Sequence, residues 1–117
     1  MLRFGVIGLG RIGGGLALQA LGKGIQVHGC DLADPASELT EAGLVYSRHL
    51  EDLVSGMTGT RILFLYIHAG PAIDEMLDRL APLLNPGDIV IDGGNSYWGD
   101  SIRRHARMAE KGIHFVD

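Results

Sequence analysis

Apolar residues recur along this chain in short runs separated by amphipathic segments, an alternation that predicts six strands with helices between them. The strand-like runs are Arg3-Phe4-Gly5-Val6-Ile7, Ile25-Gln26-Val27-His28-Gly29-Cys30, Leu44-Val45-Tyr46, residues 61–67, Asp88-Ile89-Val90-Ile91 and Ile113-His114-Phe115-Val116. Residues 61–67 are the most apolar and are expected at the centre of a parallel sheet, buried on both faces. Between strands one and two, Ile12, Leu16 and Ala20 recur at helical spacing until Gly22 to Gly24 end the helix. Asp34-Pro35 reads as an N-cap followed by proline at the first helical position, in a helix that Gly43 terminates. Ser47 is placed to cap a brief helix carrying Leu50, Leu53 and Val54, before Gly56 to Gly59 break the chain. Pro71 opens a helix that presents Ile73, Met76, Leu77 and Leu80 on one face, and Pro82 with the Asn85-Pro86-Gly87 turn closes it. Ile102, Ala106 and Ala109 mark a last helix, stopped by Gly112.

Strand and helix alternating from the first residues predict an α/β fold: a doubly wound, mostly parallel six-stranded sheet with helices on both faces, in one domain spanning residues 1–117. Ligands of such sheets bind beyond the C-terminal ends of the strands, where strand order reverses, so the loops that follow strands carry the most weight. After strand one the chain reads Gly8-Leu9-Gly10-Arg11-Ile12-Gly13, the G-x-G-x-x-G order of a Rossmann-type dinucleotide site. Gly8 suits the tight turn, Gly10 leaves no side chain between backbone and pyrophosphate, and Gly13 lets the helix approach the strand. The pyrophosphate is expected against the helix N-terminus, where free N–H groups and aligned peptide dipoles favour an anion.

Strand two ends at Asp31, eighteen residues after Gly13, the spacing expected of an acid that binds a ribose 2′-hydroxyl. No Arg or Lys lies between Asp31 and Glu41, so a 2′-phosphate would meet a carboxylate without a cation nearby in sequence. NAD is therefore expected rather than NADP.

Composition narrows the partners. The 117 residues suit one compact domain, and a net charge of −4 gives no general attraction to nucleic acid or to an anionic membrane. Cys30 is the only cysteine, so an internal disulfide is impossible; no metal site is expected, and the setting reads as cytoplasmic. With strand-like sequence from Leu2 no leader is expected, and the longest apolar run, residues 62–67, is far short of a membrane span.

Two further loops are expected on the same rim: His68-Ala69-Gly70-Pro71 after strand four and Asp92-Gly93-Gly94-Asn95-Ser96 after strand five. Asn95 and Ser96 offer donors and acceptors to a substrate or nicotinamide, although Ser96 is also placed to start the next helix. Asp92 is suited to tying the glycine loop to neighbouring N–H groups. Arg103, Arg104, His105 and Arg107 read as a solvated helix face, and Cys30 as a small buried hydrophobe. Tyr97 and Trp98 could shape the mouth of the site or contact a further domain.

Four stretches together carry a resemblance: Gly8 to Gly13, Leu65-Tyr66-Ile67-His68-Ala69-Gly70, Ile91-Asp92-Gly93-Gly94-Asn95-Ser96, and Glu110-Lys111-Gly112-Ile113-His114-Phe115-Val116-Asp117. The chain resembles, over nearly its whole length, the N-terminal domain of decarboxylating 6-phosphogluconate dehydrogenase. The Asp-Gly-Gly-Asn-Ser sequence is the strongest mark, because the related β-hydroxyacid dehydrogenases, such as 3-hydroxyisobutyrate dehydrogenase, usually carry an Asp-x-Ser-Thr type sequence there. Asp31 is similar to the NAD-preferring form, whereas NADP-dependent members have an Asn-Arg pair.

The resemblance implies oxidation of 6-phosphogluconate or a related sugar acid with hydride transfer to the nicotinamide, then decarboxylation to ribulose 5-phosphate. That chemistry belongs to the pentose phosphate pathway and gluconate utilization. It also implies that His68, Ala69 and Gly70 line the nicotinamide site and that Asn95 binds substrate, although His68 stands where relatives commonly have Lys or Pro. Cofactor contacts are thus expected at Gly8, Leu9, Gly10, Arg11, Ile12, Gly13, Asp31, His68, Ala69, Gly70 and Asn95. The family's base lysine, acid glutamate and Ser-Gly-Gly loop match positions beyond Asp117, in a helical C-terminal domain through which full-length relatives form dimers or tetramers. No catalytic acid or base is therefore expected within these residues, and an NAD(H)-sensing module is the reading from a different functional class.

Overall fold

A computed structural model describes residues 2–94 and 96–117. Six strands, β1 (Arg3–Ile7), β2 (Gln26–Cys30), β3 (Val45–Ser47), β4 (Ile62–Leu65), β5 (Ile89–Asp92) and β6 (His114–Val116), form one sheet in the order β3-β2-β1-β4-β5-β6. Every pairing is parallel. The connecting helices are α1 (Arg11–Gly22), α2 (Ser37–Glu41), α3 (Leu50–Ser55), α4 (Pro71–Leu80) and α5 (Trp98–Ala109). From β1 the chain winds outward to β3, then returns across the sheet to β4 and winds the other way. The reversal leaves a crevice between β1 and β4 at the C-terminal ends of the strands.

Alternation along the central strands sorts side chains between two apolar layers. Val6 and Val27 pack with Leu9, Ala17, Ala20, Leu39 and Leu44 under α1 and α2. Ile7, Cys30, Leu63, Leu65 and Val90 pack on the other face with α3, α4 and Met108 of α5. Helices thus cover both sheet faces, which is why the central strands can be apolar on both sides. Asp88, buried at the start of β5, accepts the N–H groups of Arg61 and Asn85, each at 2.8 Å, and pairs with the Arg61 guanidinium at 3.3 Å. No described helix is long and apolar enough to cross a membrane.

Four local expectations need correction. The buried face of α1 is Gly13, Ala17 and Ala20, and Ile12 is exposed, because a helix this close to the sheet admits only small residues on its inner side. α2 begins at Ser37 with Ala36 as N-cap, two residues past the expected Pro35. The carbonyls of the preceding loop serve side chains instead of a helix: the Tyr46 hydroxyl donates to Asp31 O at 2.8 Å and the Arg48 guanidinium to Leu32 O at 2.6 Å. Ser47 pairs with Cys30 in β3, so His49 takes the N-cap position of α3. Finally, α5 buries Ser101, Arg104 and Met108, whereas Ile102, Ala106 and Ala109 face outward.

His28, in the middle of β2, is 6% exposed, and its Nε2 has no hydrogen-bond partner among the described residues. Burial, with help from the nearby Arg3 charge, holds its pKa below the usual imidazole value. The unfolded chain therefore binds a proton more readily than the folded one. Stability is complete above the ordinary histidine pKa of about 6.5 and declines as pH falls below it toward the lowered folded value. The urea midpoint should consequently drop between about pH 7.5 and pH 5.5. His28→Leu should flatten that drop.

Candidate functional site

Backbone hydrogen bonds gather the ends of four strands into one rim. The Gly8 N–H donates to Cys30 O at 2.9 Å, Tyr66 N–H to Ile7 O at 2.8 Å, and Gly93 N–H to Leu65 O at 2.9 Å. Above them opens a cavity of about 520 Å³, walled by Gly8, Gly10 to Gly13, Asp31, residues 66–68, Gly93 and Gly94. It lies over the point where strand order reverses.

The three fingerprint glycines meet different constraints. Gly8 has φ +96°, and a Cβ there would stand 2.3 Å from Tyr66 O. A Cβ on Gly13 would stand 2.0 Å from Gly8 O, so α1 reaches the strand end only because no side chain intervenes. Gly10 is the reverse: nothing lies within 4 Å of its Cβ position. It is the N-cap of α1 and contributes no side-chain cap, so the first-turn N–H groups face an open cradle. Packing inside the domain therefore explains Gly8 and Gly13 and leaves Gly10 unexplained. Open backbone at a helix N-terminus is suited to an anion that needs close approach.

Asp31 is pinned beside this cradle. Its Oδ2 accepts the Leu9 N–H at 2.7 Å, and its Oδ1 accepts the Ala33 N–H at 3.2 Å. A carboxylate has about four acceptor positions, so two hydrogen bonds leave capacity for sugar hydroxyls. The spacing between Gly13 and Asp31 thus serves two ends: the acid orders the glycine loop and stands at the edge of the cavity.

Comparison with known proteins agrees with this geometry. Residues 3–117 match the family described as the NAD binding domain of 6-phosphogluconate dehydrogenase. The chain belongs to that family. The decarboxylating 6-phosphogluconate dehydrogenase of Bacillus licheniformis is 39% identical over 117 residues, covering 96% of this chain and 25% of that protein. The NAD(+)-dependent, decarboxylating 6-phosphogluconate dehydrogenase of Bacillus subtilis is 38% identical over 117 residues, with 96% and 25% covered. Among solved structures, 3-hydroxyisobutyrate dehydrogenase of Mycobacterium tuberculosis superposes with a TM-score of 0.84 at 21% identity, over 98% of this chain and 39% of that one, a likeness of fold. The chain spans about a quarter of the length of these curated relatives.

Within this NAD-binding domain, the residues expected at the cofactor divide. Gly8, Gly10, Arg11, Ile12, Gly13, Asp31 and His68 line the cavity, whereas Leu9 turns its side chain into the core and offers only its N–H, to Asp31. Ala69 and Gly70 lie beyond the cavity wall in the loop that enters α4, and Asn95 lies outside the described residues. Cys30 is buried; burial, reinforced by the Asp31 charge, raises its thiol pKa, as befits a packing residue.

Several residues of the site could not be picked out from sequence motifs. Tyr66 packs under the rim: a Cβ on Gly93 would come within 2.5 Å of its ring, and one on Gly13 within 3.1 Å of its Cβ. The glycines opposite it were the available signal. Arg48 and Arg79 line a smaller cavity of about 170 Å³ that adjoins Asp31, so tertiary structure supplies cations that are absent from the neighbouring sequence. Arg104, expected on a solvated face, is fully buried. Asp92 accepts the Gly94 N–H at 2.9 Å and the Ser96 hydroxyl, so Ser96 is held by Asp92 while Tyr97 takes the N-cap position of α5.

The contrast between glycines gives a paired prediction. Gly13→Ala should destabilise the domain by about 2 kcal/mol or more in a urea titration, since backbone must move to admit the methyl group. Gly10→Ala should cost less, about 1 kcal/mol, the preference of an N-cap for glycine over alanine. Calorimetric titration of Gly10→Ala should nevertheless show NAD affinity reduced by about tenfold or more, because the methyl group occupies the cradle.

Proposed function

We propose that this chain holds the cofactor of a decarboxylating 6-phosphogluconate dehydrogenase, which oxidises the sugar acid by hydride transfer to NAD and then releases carbon dioxide. The observation that carries the reading is the open backbone at Gly10 beside an acid fixed by the same loop, Asp31 bonded to Leu9 N–H at 2.7 Å. In this reading the first-turn amides of α1 meet the pyrophosphate, and the free acceptor positions of Asp31 take the adenosine ribose hydroxyls. The rim over β4 and β5 is left for the nicotinamide half and the sugar acid.

NAD, when bound, supplies the hydride acceptor. The chain's own part is orientation, holding donor and acceptor at near-attack distance. The base that takes the substrate hydroxyl proton is assigned to the remainder of the full-length protein, as are the surfaces that make it an oligomer. A cytoplasmic enzyme of sugar-acid catabolism is the setting this reading implies. The Asp92-Gly93-Gly94-Asn95-Ser96 sequence favours 6-phosphogluconate over the smaller acids used by 3-hydroxyisobutyrate dehydrogenase.

Cofactor choice rests on the Asp31 charge. Arg48 is committed through Nε and Nη2 to Leu32 O, at 3.2 Å and 2.6 Å, and a 2′-phosphate would still have to settle against the carboxylate. NAD should therefore bind more tightly than NADP. Asp31→Ala should weaken NAD by about tenfold to a hundredfold, as loss of a charge-assisted hydrogen bond does, and narrow its lead over NADP. Tighter binding of NADP by the wild type would overturn the cofactor assignment. For the reaction, NADH formation by the full-length protein should depend on 6-phosphogluconate; turnover of 3-hydroxyisobutyrate alone would refute the substrate.

A further inference from the structure

Among the described residues, Arg104 is the largest fully buried side chain and the only buried guanidinium. Its Nε donates to Asp74 Oδ1 at 3.0 Å and its Nη2 to Asp74 Oδ2 at 3.2 Å, a two-point pairing between α5 and α4. The same Nη2 donates to Gly70 O at 3.0 Å, at the end of the loop that follows β4. Nη1 reaches the Ser96 hydroxyl at 3.5 Å, and that hydroxyl in turn donates to Asp92, which holds the Gly94 N–H. Arg103 adds a second fork to Asp74 from the solvent side, at 3.1 Å and 3.2 Å. With both guanidinium groups bonded to it, Arg104 first, the Asp74 carboxyl is held down at about 2 and stays charged.

A buried ion pair contributes less to stability than apolar side chains of the same volume would, so stability alone gives little reason to place a guanidinium here. What the guanidinium does provide is fixed geometry, since its planar fork binds groups from three segments at once. Two of those segments are the loops whose other ends, His68 and Gly93 with Gly94, wall the cavity. The third, α4, carries Asp74 at its first turn. Lysine, with a single rotatable ammonium, could not span Asp74, Gly70 and Ser96 in this way.

We propose that Arg104, locked by Asp74, is a positioning residue that sets the β4 and β5 rim loops for the nicotinamide half of the cofactor. The inference rests on the reading that the dinucleotide crosses the strand-order reversal with its adenosine over Asp31. On that reading the pyrophosphate and the adenosine ribose are held by α1 and Asp31, which Arg104 does not touch, and the nicotinamide half meets the loops that it does hold. ADP, which lacks the nicotinamide and its ribose, therefore separates local positioning from general damage to the fold.

The test compares NADH and ADP affinities by calorimetry for the wild type, Arg104→Met, Arg104→Lys and Asp74→Asn, with a thermal melt of each. Arg104→Met should weaken NADH by about tenfold, since loops no longer held in place must be ordered on binding, and change ADP by less than about twofold. Arg104→Lys should recover only part of the loss, because one ammonium replaces the fork. Equal weakening of both ligands, or unchanged NADH affinity in a folded Arg104→Met protein, would overturn the proposal. If Arg104→Met fails to fold, Asp74→Asn decides, since Asp74 is partly exposed: selective loss of NADH affinity supports the clamp, and its absence refutes it. A wild type that binds neither ligand would instead overturn the cofactor reading itself.

Discussion

Main chain meets main chain where the loop leaving β1 turns into α1 beside the end of β4, leaving no room for side chains between them. The positions that Cβ atoms would take at Gly8 and Gly13 are filled by the carbonyl oxygens of Tyr66 and Gly8, at 2.3 Å and 2.0 Å. No rearrangement of side chains relieves such an overlap, because the obstructing atoms belong to the main chain of a buried sheet. Everything at the rim depends on this approach. It brings the N-terminus of α1 to the point where strand order reverses, and it sets Leu9 N–H within reach of Asp31. Tyr66 is thereby placed to support Gly93 from the neighbouring loop.

Asp31 holds its own loop in place and still keeps acceptor capacity to spare. The Leu9 and Ala33 amides engage one acceptor position on each oxygen and fix the direction of the carboxylate. The remaining positions point at no other group within the described residues' hydrogen bonds and are available to a ligand. Such preorganisation means that a ligand donor would meet an acid already held in place, with little side-chain ordering left to be done on binding. It also means that removing the acid disturbs the glycine loop that it holds.

The other half of the rim is organised differently. Hydrogen bonds of a buried guanidinium hold it where the first half relies on glycine packing. Removing a charge from water costs on the order of several kcal/mol, offset here by the Asp74 carboxylate and by the Gly70 carbonyl. This exchange also turns α5 over. Because Arg104 faces inward to reach Asp74, Ile102 on the opposite side is left 62% exposed, close to the exposed Tyr97 and Trp98.

Local chemistry was enough to determine the strand and helix alternation, the glycine cradle, the acid after β2 and the family itself, because each depends on residues close together along the chain. Periodicity correctly gave Ile73, Leu77 and Leu80 as the inner face of α4, where an apolar stripe is the only candidate. It failed on α1 and α5 for opposite reasons. The inner side of α1 is chosen by lack of space, which favours Gly13, Ala17 and Ala20 over Ile12; that of α5 is chosen by a carboxylate on another helix, which favours Arg104 over Ile102. Arg48 and Arg79 likewise reach the edge of the Asp31 site from later in the chain. A buried charge can be recognised only once its partner is known, and that partner lies thirty residues away. Tertiary structure alone therefore decided which polar groups face inward, because that depends on pairing across space.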